Sequence, residues 1–130
     1  MQNCFTASFK IEPYIGSSYD FYLSHKDSLC EDLNALVNPL GRVCRSLTTE
    51  EAPLEEGEWL ICFFGPFVTK RDYEGIPEAW DYHVIFKEDD VWKHRDGQGK
   101  PIEVIGDNLF EYFRGHGIEP KYFAVKQVEV

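Results

Sequence analysis

The run Trp80-Asp81-Tyr82-His83-Val84-Ile85-Phe86, followed after an acidic turn by Val91-Trp92-Lys93-His94-Arg95-Asp96-Gly97, constrains this chain more than any other stretch. β-Branched and aromatic residues on both sides of Asp89-Asp90 read as a β-hairpin. If the strands turn through Asp89 and Asp90, or through the four residues from Glu88 to Val91, antiparallel pairing sets His83 opposite Asp96 and Ile85 opposite His94, all on one sheet face. A three-residue loop pairs His83 with Arg95 instead and turns Asp96 to the other face, so the geometry is conditional on an even loop. In the even register an imidazole faces a carboxylate, which orients it and makes it more basic.

The chain of 130 residues has the size of one domain, spanning 1–130, and is long enough for a single core. A hydrophobic content of 43%, with ten Phe, seven Tyr and three Trp, predicts an ordered globular protein. The formal net charge of −10 disfavours nucleic acid and anionic membrane, because binding a phosphate backbone depends on basic neutralising contacts. The acidity fits a cationic partner as well as it fits simple solubility. Met1-Gln2-Asn3-Cys4 shows no basic region followed by an apolar run, and no apolar stretch approaches the roughly 18 residues that span a bilayer. A soluble, cytoplasmic protein is expected. The four cysteines, Cys4, Cys30, Cys44 and Cys62, lack the close spacing of a zinc or redox motif and are expected to be free thiols. Cys30 and Cys62 read as small buried apolar residues; Cys4 and Cys44 are harder to dismiss.

Leu29, Leu33, Leu36 and Val37 fall at helical spacing from Ser28 to Val37, Ser28 with Glu31 forms a capping box, and Pro39 with Gly41 closes the segment. Thr48 to Gly57 is an acidic loop. Glu58 to Phe64 reads as a buried strand bounded by Gly65-Pro66, Tyr82 to Lys87 and Val91 to Arg95 as the hairpin, Asp107 to Arg114 as a helix ending at Gly115, and Tyr122 to Val130 as a final strand. Helix first and sheet later predicts an α+β class. The first ten residues are ambiguous. Phe5, Ala7, Phe9 and Ile11 alternate as in a half-buried strand, and this period is the stronger signal. A helix entered at Asn3 as N-cap is the alternative, and it would place Cys4 in the first turn, where free N–H groups and the dipole favour a thiolate. Because a reactive thiol benefits from that position, the helix is the expectation against the period.

An early Cys4, then His83 on a strand and Asp96 on the next, follows the chain order of papain-like thiol hydrolases. The run Trp80-Asp81-Tyr82-His83-Val84 resembles the histidine strand of the N-terminal glutamine amidohydrolases, in which the following strand carries the catalytic Asp and, shortly after, a Pro; Asp96 and Pro101 stand in those places. Bacterial glutamine deamidases share a Cys, His, polar-residue order, as do NlpC-type cell-wall peptidases more loosely, and in the latter pattern His94 would be the third residue. The resemblance covers about 25 residues around the hairpin and, more weakly, Asn3-Cys4. It implies a papain-like fold with N-terminal helices on a small antiparallel sheet, and hydrolysis of an amide in a protein or peptide substrate. Cys4 would attack the carbonyl, His83 would hold and return the proton, and Asp96 would orient the imidazole. The backbone N–H of Cys4, with Asn3 or Gln2 nearby, would face the oxyanion.

No cofactor is expected. His83, His94 and Asp96 on one face make a crowded zinc set with no helical His-x-x-x-His pair to support it, so no metal is expected either. The glycines of Asp96-Gly97-Gln98-Gly99-Lys100 lack the spacing and following helix of a phosphate loop. His116, in Gly115-His116-Gly117, reads as a loop histidine. The competing class is a non-enzymatic binding protein, an acidic immunity-type or adaptor domain that covers a basic partner surface. Its support is the charge, the small size and the aromatics Tyr14, Tyr19, Tyr22 and Tyr73.

Overall fold

A computed structural model describes residues 4–11, 27–95 and 100–129. Among these residues it is α+β: an open sheet of six described strands in the order β1-β6-β2-β3-β4-β5, every described neighbour antiparallel, with short helices on both faces. The strands are β1 (Arg42–Leu47), β2 (Glu58–Arg71), β3 (Pro77–Glu88), β4 (Val91–Arg95), β5 (Ile102–Val104) and β6 (Pro120–Gln127). The described α-helices are α1 (Cys4–Phe9), α2 (Leu29–Val37) and α3 (Asp107–Gly115).

Burial on both faces explains the unbroken apolar runs. Along β2, Ile61 and Phe63 face α1 and α2 together with Tyr82, Val84, Phe86, Phe123 and Val125. The intervening Leu60, Cys62 and Phe64 face α3 with Ile85, Phe110, Phe113 and Tyr122. The sheet is therefore the middle layer of three, and parity along a strand decides which core a side chain joins.

The alternation in the first ten residues points to a strand, but residues 4–9 form the helix expected against that period, with Cys4 as its first residue. Phe5, Thr6, Ala7, Ser8 and Phe9 are all buried, so this six-residue helix has no solvent face to impose a 3.6-residue period. Such a short helix depends on tertiary support. Lys10 closes it in a left-handed conformation at φ 55°, while its N–H and that of Ile11 donate to Ala7 O and Thr6 O. The remaining carbonyls are taken by Arg42, whose Nε donates to Phe9 O at 2.9 Å and Nη2 to Lys10 O at 2.6 Å, and by Trp59 Nε1, which donates to Ser8 O at 2.9 Å.

Helix α2 occupies the expected place, but the capping box does not form. Ser28 makes no cap hydrogen bond, and its hydroxyl donates to the Asp32 carboxylate one turn on. Gly41, at φ 80°, ends the 3-10 turn Asn38–Leu40 as its sequence suggests. Two strands carry no clear pattern in the sequence, β1 and the three-residue β5. Strand β2 also runs past Gly65-Pro66, because the β2–β3 register skips these two residues: Phe64 pairs with His83 and Phe67 with Asp81. A proline costs little where the ladder makes no bond. Gly65 is required there, since a Cβ would sit 2.7 Å from Tyr82 Cβ.

Candidate functional site

The hairpin turns through Asp89 and Asp90, at φ 55° and 64°, a left-handed pair that aspartate tolerates. Glu88 pairs with Val91, Lys87 with Trp92 and Phe86 with Lys93, which is the even register. Asp96 lies outside the described residues. His83 and His94 share the α3 face, where His83 Nε2 and His94 Nδ1 are 2.8 Å apart and the rings meet edge to face at 89°. His83 is half-buried and His94 is 9% exposed. Phe113 stacks on His83 at 6.3 Å and on Phe64 at 4.8 Å, so α3 roofs the imidazole pair with aromatic rings. A hydrogen bond between two imidazole nitrogens requires one to carry a proton and the other to be bare.

Cys4 opens α1, where the helix reading puts it, but it packs against the core on the opposite side of the sheet. The neighbours of His83 along β3, Tyr82 and Val84, face α1; His83 faces α3. The sheet thus stands between the proposed nucleophile and the proposed base, and the expected pairing of Cys4 with His83 is not built. The reason is strand parity: the helix that carries Cys4 covers the face bearing even-numbered β3 residues. Cys62 does share the His83 face, yet it is fully buried, and burial pushes its thiol far above the ordinary range. Cys44 is 4% exposed, and burial, followed by the neighbouring Cys30 thiol, pushes it up to about 12. Neither is a poised nucleophile. His116 Nδ1 lies 2.8 Å from Tyr112 O at the end of α3, consistent with a local structural role. Among the described residues no three His, Cys, Asp or Glu side chains converge as a metal would need.

The open surfaces lie elsewhere. Neither the cleft of about 600 Å³ between β2 and the end of α3 nor the one of about 390 Å³ beside β1 and β6 is lined by Cys4, His83 or His94. A third cleft, of about 370 Å³, joins segments far apart in sequence: Glu50, Leu54 and Glu58 from the acidic loop and its edge, and Glu88, Asp89 and Asp90 from the hairpin turn, with Lys10 and Lys87 also in its wall, so that five carboxylates face two ammonium groups. The loop is anchored through Glu50, which accepts hydrogen bonds from Trp92 Nε1 at 3.2 Å and Arg114 Nη2 at 3.1 Å. At its other end Arg45 grips Glu58 in a fork, at 2.7 and 2.8 Å, and this holds the Glu58 carboxyl below its usual range. Glu88 is held low as well, by hydrogen bonds from Lys10 first and Lys93 second. Glu51, Glu55, Glu56, Asp89 and Asp90 remain exposed around this end of the sheet.

No known family, curated protein or solved structure matches the chain. Among the described residues no helix is long and apolar enough to cross a membrane. The sequence offers His94 only through the NlpC-type pattern, as a third residue, and the even hairpin register is the signal that joins it to His83. Tyr73, one of the aromatics that suggested a binding surface, is 97% exposed; Tyr14, Tyr19 and Tyr22 lie outside the described residues.

Proposed function

We propose that this chain is a non-enzymatic binding domain whose acidic end covers a basic surface on a protein partner. The observation that carries this reading is the convergence of the acidic loop and the Glu88-Asp89-Asp90 turn on one cleft, with Leu54, 43% exposed, among the carboxylates. Glu50, Glu58 and Glu88 are committed to internal cations, whereas Glu51, Glu55, Glu56 and Asp90 extend into solvent. A net charge of −10 adds a long-range field that draws a basic partner and orients its approach. The test is fluorescence anisotropy of a labelled Lys/Arg-rich peptide with the intact chain, at low and at physiological ionic strength. Saturable binding that weakens with salt, and at least about tenfold more in an Asp89→Lys/Asp90→Lys variant, is expected. No binding, or equal binding by the variant, overturns the reading.

A thiol-dependent amide hydrolase of papain-like fold is the second reading. The contact between His83 and His94 favours it, since it pairs a base with an orienting ring in the order the NlpC-type resemblance implies. It would need a nucleophile on the α3 face. Ammonia release from glutamine-bearing peptides that is lost in both His83→Ala and His94→Ala would decide for the hydrolase and against the binding domain.

A further inference from the structure

Helix α2 and edge strand β1 bring two cysteines together. Cys30, in the first turn of α2, has its sulfur 3.7 Å from Cys44 O, and the Cys44 sulfur lies 4.0 Å from Cys30 O. Each thiol thus reaches the other's backbone, and the neighbouring Cys30 thiol adds to the burial that holds Cys44 protonated. Asn34, one turn further along α2, clamps the two elements: its Nδ2 donates to Cys44 O at 2.8 Å and to Cys30 O at 3.0 Å, and its Oδ1 accepts from the Cys44 N–H at 2.9 Å. Cys30 is partly exposed, whereas Cys44 is buried.

We propose that Cys30 and Cys44 are a redox pair that closes to a disulfide in the folded chain when hydrogen peroxide is present, stapling α2 to the sheet edge. Exposure makes Cys30 the entry point. Its thiolate attacks one peroxide oxygen, the O–O bond breaks, and the departing hydroxide takes up the thiol proton to leave as water, giving a sulfenic acid. The Cys44 sulfur then attacks the Cys30 sulfur, the S–O bond breaks, and a second water leaves with the Cys44 proton. Two thiols and one peroxide give one disulfide and two waters, and the two electrons lost by sulfur reduce the peroxide.

The test treats the reduced, intact chain with peroxide, followed by alkylation, intact mass and peptide mapping. The expected product is lighter by two hydrogens, carries a link between Cys30 and Cys44, melts roughly 10 °C higher for a loop of this length, and reverts with dithiothreitol. Cys44→Ser should instead leave a dimedone-reactive sulfenic acid at Cys30, and Cys30→Ser should form no bridge while melting close to the reduced wild type. Oxygen addition without the link, a link that runs through Cys4, or a link that forms only in the denatured chain overturns the proposal.

Discussion

Replacing Asn34 by alanine removes the side chain that pairs with both outward-facing backbone groups of Cys44 on edge strand β1, at 2.8 and 2.9 Å. Each bond contributes about 1 kcal/mol net, and the Cys44 backbone, on a residue only 4% exposed, is left short of a partner, for a gross loss of about 2–3 kcal/mol. Alanine recovers about 0.5 kcal/mol because it is the better helix former. The net destabilisation is therefore about 2 kcal/mol, or roughly 6–10 °C in Tm for a chain of this size. Asn34→Asp separates the two bonds: a carboxylate still accepts from the Cys44 N–H but repels Cys44 O. That repulsion raises the folded pKa of the new acid above its unfolded value. Its protonated form, which can donate, is present in both states below the unfolded value of about 3.9, and the associated stability is lost as pH rises through the folded pKa. Relative to wild type at the same pH, Asn34→Asp should be at least as unstable as Asn34→Ala at pH 7 and should recover toward pH 4. Urea unfolding followed by tryptophan fluorescence reads both, with the midpoint moving and the slope unchanged. An Asn34→Ala variant within about 0.5 kcal/mol of wild type would refute the clamp.

Phe113→Ala should cost about 3–4 kcal/mol by the same assay, because Phe113 is 6% exposed and packs on both Phe64 and His83. Gly65→Ala should destabilise by about 1–3 kcal/mol, since the new methyl would sit 2.7 Å from Tyr82 Cβ and 3.1 Å from its Cα, where only backbone movement can relieve it. Glu58 and Glu88 have folded pKa values below their ordinary 4.5, so their contribution is present above that value and is lost as pH falls through the folded values. Thermal melts should therefore fall below pH 4.5, and Glu58→Gln should flatten that dependence.

The hairpin was the legible part of this chain. Asp89 and Asp90 tolerate the left-handed conformation that a two-residue turn needs, and once the loop is even, the register and the shared face of His83 and His94 follow. Strand β4 and helix α3 were legible for related reasons, one bounded by the turn and the other ended by glycine. Helix α1 was not, because a helix buried on every side loses the polar stripe that would reveal its period. Strand β1 was missed because Arg42, Arg45 and Ser46 interrupt its apolar pattern: Arg42 is used to cap α1 and Arg45 to hold Glu58. The proposed triad depended on which sheet face α1 covers, a tertiary choice made as Phe5 packs on Phe63 and Phe9 joins the same core as Tyr82, and no local pattern around Cys4 encodes it.

The separation of Cys4 from His83 by the sheet is tested most directly by the alkylation rate of Cys4. Reduced wild type and His83→Ala are treated with iodoacetamide across neutral pH, and modification of the Cys4 peptide is followed by mass spectrometry. With the imidazole on the far face, the Cys4 rate and its pH profile should be the same in both proteins. A Cys4 rate that is fast near pH 7 in wild type and falls about tenfold or more in His83→Ala would show that thiol and imidazole act together, and would contradict the account.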